Sequence, residues 1–117
     1  MLQQTPFNRN FQTIPRRFKG FTLNELGYFP KKADRCDRTY YTINYSIILS
    51  GQGTYIRDDQ THKLTSPCVI TQIPGERSRY GPIAGETWEE LYFIVPAQDY
   101  PWIQSKGLIG QNKSMWP

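Results

Sequence analysis

Residues 40–80 alternate short apolar and β-branched runs with residues typical of tight turns. The first run, residues 40–49, is rich in Tyr, Thr and Ile, which suit a pleated, half-buried strand. Glycine and proline separate the runs, because glycine reaches positive φ without a steric clash and proline cannot donate to a strand ladder. Short strands at this spacing predict a small all-β sandwich or barrel, and a barrel of this size can hold one small molecule.

The other turns and strands are predicted from the same alternation. Turns are predicted at residues 50–53, 58–60, 66–67 and 74–75, and further strands at residues 54–57, 61–64, 68–73 and 88–95. Upstream, residues 18–29 alternate loosely and predict one or two short strands around Gly20 and Gly27. Residues 30–37 are rich in charge and predict a loop.

The pattern changes after the last predicted strand. Asp99 can cap a helix, Pro101 suits a first helical turn, and Gly107 can end the helix. The sequence therefore predicts one short helix over residues 99–107. Its predicted apolar contacts are Trp102, Ile103 and Leu108.

Length and composition agree with a single small β domain. A chain of 117 residues corresponds to one domain. An aromatic content of 15% with nine glycines and nine prolines does not suit a helical bundle. The formal net charge is +4, but the basic residues are scattered, and no helix-turn-helix, zinc-finger or RNA-binding motif occurs. We therefore expect a solvated basic surface rather than a nucleic-acid-binding face.

Hydropathy and cysteine content bear on the location of the protein. No stretch approaches the ~20 apolar residues needed to cross a bilayer, and the first residues lack the apolar core of a signal peptide. Cys36 is predicted in a loop and Cys68 on a strand, and no C-x-x-C pair occurs. These features predict a cytoplasmic protein with free thiols and no membrane partner.

An ordered set of short motifs resembles one family. The motifs are Gly51-Gln52-Gly53, Pro67, the apolar strand at 69–73, Pro74-Gly75 followed by Tyr80, and the Trp88-Glu89-Glu90 strand. Their order is similar to that of the cupin-type sensor domain of AraC-type transcription regulators, over roughly residues 20–117. The resemblance implies an all-β, cupin-like antiparallel jelly-roll barrel with a short C-terminal helix.

The resemblance also implies a domain organisation. Residues 1–16 would be an N-terminal arm that folds over the ligand, and residues 17–97 the effector-binding barrel. Residues 98–117 would be the helix and the start of the dimerisation and linker region. The DNA-binding domain of the family is absent from this sequence, so DNA would be contacted only through a C-terminal domain that lies outside it.

Strand alternation divides the first long strand into two faces. One face carries Tyr41, Ile43, Tyr45, Ile47 and Leu49, and the other carries Tyr40, Thr42, Asn44, Ser46 and Ile48. The second, more polar face either meets solvent or, as the resemblance implies, lines the barrel. In the last strand, alternation predicts one face inside the barrel and the other under the helix, and the resemblance implies that Glu90 and Tyr92 face inward.

A candidate ligand site follows from the resemblance. Its predicted residues are Arg38, Tyr40, Asn44, Tyr80, Glu90 and Tyr92. Arg38 would bind hydroxyls or a carboxylate of the ligand, and Glu90 would accept from hydroxyls or neutralise Arg38 in the empty site. The alternative for Glu90 is a salt bridge at the rim. The predicted effector is a sugar or similar polar metabolite, and Ser78, where relatives often carry His, means that it need not be arabinose.

A barrel of this kind fits three function classes: a sensor domain, a metal-dependent enzyme, and a structural or interaction domain without a ligand. Cupin enzymes bind a metal through H-x-H, a following Glu and a later His, but here these positions fall within residues 37–40 and on Asn44 and Ser78. The single histidine, His62, is expected to be solvent-exposed in a hairpin and cannot build a metal site alone. Glu89 and Glu90 point to opposite faces of a strand and cannot form an acid–base pair. We therefore predict a non-enzyme with no catalytic residues, metal or cofactor.

The alternative enzyme class is a small metal-dependent cupin isomerase or dioxygenase, and the third class is a structural or interaction domain without a ligand. For the preferred class, the predicted partners are a small-molecule effector and a second copy in a homodimer.

Overall fold

A computed structural model of the chain describes residues 7–10, 17–18, 21–107 and 115–116, with side chains for residues 23–107. The strands are β1 Phe7–Asn10, β2 Arg17–Phe18, β3 Phe21–Thr22, β4 Glu25–Lys32, β5 Cys36–Thr39, β6 Ile43–Ser50, β7 Gln52–Arg57, β8 Gln60–Thr65, β9 Cys68–Gln72, β10 Arg77–Pro82, β11 Trp88–Val95 and β12 Met115–Trp116. A 3₁₀ turn, Ala97–Asp99, leads into the helix α1, Tyr100–Ser105.

Two main antiparallel sheets form the domain. One has the strand order β1-β4-β11-β6-β9-β12 and the other has the order β5-β10-β7-β8, while β2 and β3 form a separate two-stranded ladder. Successive strands cross between the two main sheets: β6 lies in the first, β7 and β8 in the second, and β9 in the first again. The predicted all-β jelly roll with a short C-terminal helix is confirmed.

The core lies between the two main sheets, and a second cluster lies under the helix. Members of the first are Tyr40, Ile48, Tyr55, Leu64, Cys68, Ile70, Tyr80 and Trp88. Members of the second are Ile43, Val95 and Ile103, with Tyr45, Phe93 and Trp102 among the half-buried residues packed against them. Even-numbered residues of β6 therefore face the barrel interior, as the resemblance implied. One face of β11 packs under α1, as the alternation predicted.

The helix was predicted in the right place, but not its capping. Pro101 lies in the first turn of α1, and Gly107 has a φ of +70° just after its end. The Asp99 side chain makes no capping hydrogen bond, because the chain enters α1 through a 3₁₀ turn in which the Asp99 N–H donates to the Pro96 carbonyl at 3.1 Å. Leu108 lies outside the described residues. Within the described ranges no helix is long and apolar enough to cross a membrane.

The predicted loop at residues 30–37 is too long, because only residues 33–35 lie outside strands. Strand β4 continues to Lys32, and Cys36 begins β5 rather than lying in a loop. The sheet tolerates Pro30 because β1 pairs only with residues 25–28 of β4, and the register with β11 shifts beyond Phe29. Gly27 lies inside β4 and not at a turn.

Strand β6 begins later than predicted, at Ile43 instead of Tyr40. The chain bends at Tyr41 and Thr42, and the Tyr40 carbonyl accepts from the Gly75 N–H at 2.8 Å instead of joining the ladder. Downstream, the hairpin between β7 and β8 turns through Asp58 and Asp59, both with positive φ. Such a two-residue turn matches the twist of the flanking strands.

Parts of the chain predicted as an arm and a tail contribute edge strands. Within the predicted arm at 1–16, β1 pairs antiparallel with β4. At the other end, β12 pairs antiparallel with β9. Residues 1–6, 11–16 and 108–114 lie outside the described residues.

Candidate ligand-binding pocket

A pocket of about 300 Å³ lies between the two sheets and contains all of the predicted site residues in its lining. The lining consists of Glu25, Phe29, Lys32, Asp34, Cys36, Arg38, Tyr40, Asn44, Ser46, Tyr80, Glu90, Tyr92 and Ile94. This volume is at the lower end of the range found for small-molecule sites, roughly 300–1,000 Å³. The six predicted residues therefore share one cavity, while their contact with a ligand stays a prediction.

One wall of the pocket is formed where β4 and β11 pair. Tyr92 lies directly opposite Gly27 in the ladder, and a Cβ built on Gly27 would come within 2.2 Å of the Tyr92 ring. The ring stacks on Phe29, with centroids 5.6 Å apart and planes 17° apart. The Tyr92 hydroxyl donates to Glu25 Oε2 at 2.7 Å. Because Gly27 has no side chain, the Tyr92 ring can occupy this space and form part of the pocket wall.

Glu90 is almost fully buried, at 1% exposed. Its Oε1 accepts from Lys32 Nζ at 3.2 Å and from Trp88 Nε1 at 3.0 Å. The cation that neutralises Glu90 is therefore Lys32 and not the expected Arg38. The alternative, a salt bridge, is found, but it is buried and not at the rim. The reason is that β4 extends to Lys32, directly opposite Trp88 in the ladder, so the lysine reaches the carboxylate from within the same sheet.

Lys32 is the site residue that sequence reasoning missed, because residues 30–37 were assigned to a loop. Burial alone would lower the pKa of Lys32, but the charge of Glu90 and the neighbouring Cys36 together outweigh this and raise it. The ammonium also donates to Cys36 Sγ at 3.4 Å and lies 5.2 Å from the centroid of the Tyr80 ring. A protonated lysine is therefore held at the centre of the pocket.

Two tyrosines meet inside the barrel. Their hydroxyls, on Tyr40 and Tyr80, are 2.9 Å apart and buried. Burial is the main cause of the raised pKa of both phenols, so they stay neutral near pH 7. Arg38 is exposed at the mouth, with its guanidinium 4.7 Å from the centroid of the Tyr40 ring. This arrangement leaves a cation over an aromatic face at the entrance and paired hydroxyls further inside.

Asn44 and Ser46 line the pocket from β6. Both are buried, and the Asn44 Oδ1 accepts from Thr42 Oγ1 at 2.7 Å. Thr42 belongs to the bend that precedes β6, so this bend orients the amide. The polar face of the first long strand is thus the interior face, as the resemblance implied.

The described residues contain no group of three or more His, Cys, Asp or Glu side chains placed to hold a metal ion. His62 lies in β8 opposite Tyr55 and is half-buried, so it is less exposed than predicted. Glu89 accepts a hydrogen bond from Tyr28, whereas Glu90 binds Lys32 in the pocket. The side chains of Glu89 and Glu90 therefore lie on different faces of β11, as predicted. Cys36 and Cys68 are free thiols.

Comparisons with known proteins identify the fold. No protein-family model matches the chain, and no curated protein matches it. Among solved structures, the chain is similar to the Schizosaccharomyces pombe Cnp3 cupin domain, with 17% identity, a TM-score of 0.52, and coverage of 83% of this chain and 69% of that one. It is also similar to a cupin 2 domain-containing protein from Halorhodospira halophila, with 9% identity, a TM-score of 0.53, and coverage of 93% and 81%.

The chain has a cupin fold. Likeness at these identities concerns the arrangement of strands and carries no ligand or reaction from one protein to the other. Function must therefore be argued from the cupin pocket itself.

Proposed function

We propose that this cupin is the effector-sensing and dimerisation domain of an AraC-type transcription regulator and that its pocket binds a sugar or a similar polar metabolite. The observation that carries the proposal is that the six residues predicted together from the family resemblance all line one pocket between the sheets. They come from four strands, β5, β6, β10 and β11, and from the segment between β5 and β6 that contains Tyr40. Such convergence of polar and aromatic side chains is typical of a binding site.

The chemistry of the pocket supports a ligand that has both flat faces and polar edges. Rings of Phe29, Tyr80 and Tyr92 offer surfaces for stacking. Arg38 at the mouth offers a planar set of donors, which suits hydroxyl or carboxylate oxygens. Glu90, buried and already bound to Lys32 and Trp88, offers its second oxygen as an acceptor for a ligand hydroxyl.

Binding is proposed in preference to catalysis. The metal-dependent cupin enzymes need several imidazole and carboxylate ligands around one ion, and the described residues supply no such group. His62 is the only histidine in the sequence, and it is not part of the pocket lining. These observations support the non-enzyme class over a small isomerase or dioxygenase.

We further propose that a C-terminal domain outside this sequence recognises DNA. Three arginines on the four-stranded sheet support the proposal that DNA is bound by another domain, because each has an acidic partner. They are Arg57 with Glu76, Arg77 with Asp37, and Arg79 with Asp59. Cations neutralised in this way offer little attraction for phosphate.

A thermal-shift screen of the purified chain against sugars, polyols and small polar metabolites tests the proposal. A ligand that binds only the native state must raise the apparent melting temperature, and we expect this for at least one neutral sugar or polyol. The Tyr92→Ala variant should lose the shift, whereas Tyr41→Ala should keep it, because Tyr41 is 76% exposed and lies outside the pocket lining.

Two results would replace the proposal with another class. If no compound shifts the wild-type melting temperature, the chain is an interaction domain without a ligand. If metal analysis of the purified protein finds stoichiometric iron, manganese or nickel, the enzyme class is favoured.

A further inference from the structure

Two polar side chains that the predicted site did not include are buried in the barrel. Gln72 and Ser78 are each 1% exposed. Among the described residues, neither the amide nitrogen nor the amide oxygen of Gln72 has a hydrogen-bond partner, and the same holds for the Ser78 hydroxyl. Buried polar groups are nearly always satisfied in native proteins, so each exception needs an explanation.

Both side chains belong to the interior face that forms the pocket. Gln72 ends β9 and lies directly opposite Asn44 in the ladder, on the face that also carries the core residue Ile70. Ser78 lies on β10 directly opposite Arg38, two residues before Tyr80 and on the same face. Asn44, Arg38 and Tyr80 all line the pocket. The two side chains therefore lie beside lining residues, one in each of the two main sheets, although they are not themselves part of the lining.

Neighbouring polar groups are already engaged with each other. The hydroxyls of Tyr40 and Tyr80 are paired, Asn44 Oδ1 accepts from Thr42, and Glu90 accepts from Lys32. Gln72 and Ser78 consequently hold hydrogen-bonding capacity that the described part of the chain does not use. An amide and a hydroxyl each need a donor and an acceptor.

From this juxtaposition we infer that Gln72 and Ser78 form an inner subsite that binds hydroxyl groups of a neutral polyhydroxylated ligand and selects it over a carboxylated one. The inference rests on the proposed ligand-binding function. A hydroxyl both donates and accepts, so neighbouring hydroxyls can satisfy the amide and the serine together. An ionised carboxylate only accepts, so where it replaces the hydroxyl that faces the Gln72 oxygen it would leave that oxygen without a donor.

The charges of the pocket also favour a neutral ligand over a carboxylated one. Its lining contains three carboxylates and two cations, and these are Glu25, Asp34 and Glu90 against Lys32 and Arg38. A ligand carboxylate would add a further negative charge to this lining and would lose its hydration on entry. A neutral sugar or polyol avoids both costs.

Calorimetric titration of the full chain with matched probes tests the subsite. The probes are neutral sugars, each paired with the acid of the same carbon skeleton, such as galactose with galacturonate and glucose with gluconate. We expect the wild type to bind a neutral sugar more tightly than the paired acid. Gln72→Met, which keeps the volume and removes the amide, should weaken neutral-sugar binding about tenfold, and Ser78→Ala should weaken it several-fold.

Ile70→Met is the matched control, because it places the same side chain on the same face of β9 without removing a polar group. It should bind the sugar within about twofold of the wild type. The melting temperature without ligand gives a second measurement: removal of an unsatisfied buried amide should leave it unchanged or raise it. Ser78→Ala keeps the test decisive if Gln72→Met does not fold.

The other outcomes separate the subsite from the proposed function. If the wild type binds a neutral sugar and both variants bind it equally well, only the subsite is overturned. Tighter binding of the acid overturns the subsite as well. A lower melting temperature of Gln72→Met with unchanged affinity would mean that ordered water satisfies the amide, which also overturns it. If no probe binds the wild type, the proposed function and the subsite fail together.

Discussion

The Tyr92 ring lies over Gly27, in the space that a side chain at position 27 would fill. The two residues are direct cross-strand neighbours of β11 and β4, and Glu25 and Phe29, on the same face of β4 as Gly27, contact the ring at its hydroxyl and its face. The glycine therefore determines the position of an aromatic wall of the pocket.

Gly27→Ala should destabilise the fold by about 1–3 kcal/mol, because its Cβ would meet the Tyr92 ring and force overpacking. Urea denaturation measures this loss. In a Tyr92→Ala background the same substitution should cost much less, since the obstructing ring is gone. Equal costs in both backgrounds would contradict the steric relationship.

Tyr92→Ala should weaken binding of any sugar found in the screen by about tenfold or more, equivalent to roughly 1.4 kcal/mol. The folded state should survive, because Tyr92 is only half-buried. Calorimetric titration gives the affinity, and circular dichroism checks the fold. Tyr92→Phe, which keeps the ring but loses the bond to Glu25, separates stacking from orientation. Unchanged affinity of Tyr92→Ala would remove this residue from the site.

Lys32→Met should destabilise the protein by roughly 3–5 kcal/mol, because it leaves the Glu90 carboxylate buried without its cation. The side chains of Lys32 and Glu90 are only 11% and 2% exposed. A double variant with Glu90→Gln should recover part of the loss. Arg77→Met is the control, since its bond to Asp37 lies between side chains that are 60% and 55% exposed. A loss as large for Arg77→Met would contradict the role of burial.

Stability should fall as the pH rises from about 10 to 12. Burial raises the pKa of Tyr45 from its ordinary value of 10.0 to about 12 in the folded chain. Between these values the unfolded chain loses the phenol proton and the folded chain keeps it, so the unfolded state binds fewer protons and the free energy of unfolding decreases. Below pH 10 both states are protonated, and the contribution is fully present.

Tyr45→Phe should make this alkaline decline shallower, because the substituted ring cannot ionise. Urea denaturation at a series of pH values measures the decline, and absorbance at alkaline pH follows phenolate formation directly. Stability at neutral pH should change little and serves as the internal control. Superimposable alkaline curves for the wild type and Tyr45→Phe would contradict the assignment to Tyr45.

The chain alone should not bind duplex DNA sequence-specifically. Three arginines of the four-stranded sheet, Arg57, Arg77 and Arg79, are paired with acidic side chains, so the remaining attraction should be weak and should disappear as salt is raised. Gel retardation across a salt series measures this. A sequence-specific complex that persists at physiological salt would show that DNA recognition lies within these residues.

Much of the fold was predictable because local rules govern it. Positive φ at Gly51, Gly75 and Gly107 coincides with predicted turns or with the helix end, and these conformations depend on the residue itself. Strand alternation divided the strands of Asn44 and Glu90 into two faces each, because the side-chain period of a strand is fixed at two residues. The family resemblance then implied that the faces with Asn44 and Glu90 lie inside the barrel.

Residues outside the predicted site show which contacts cannot be predicted from local sequence patterns. Lys32 was assigned to a loop, and its meeting with Glu90 depends on how far β4 pairs with β11 beyond Pro30. A short strand was predicted around Gly27, but the importance of this glycine comes from Tyr92 on the neighbouring strand, which the local pattern did not indicate. Gln72 and Ser78 looked like ordinary polar strand residues, and only the packing of the two sheets buried them.

The sequence by itself determined most of the strand-and-turn order, the position of the short helix and the division of each strand into two faces, because backbone sterics and the two-residue period act over a few neighbouring residues. Tertiary structure decided which strands are neighbours, which face of each strand lies inside the barrel, which cation neutralises Glu90 and which polar groups are buried without a partner among the described residues. These relations join residues far apart in the chain, such as Lys32 and Glu90, which are 58 positions apart, and their distances depend on sheet packing and register, which no local pattern specifies.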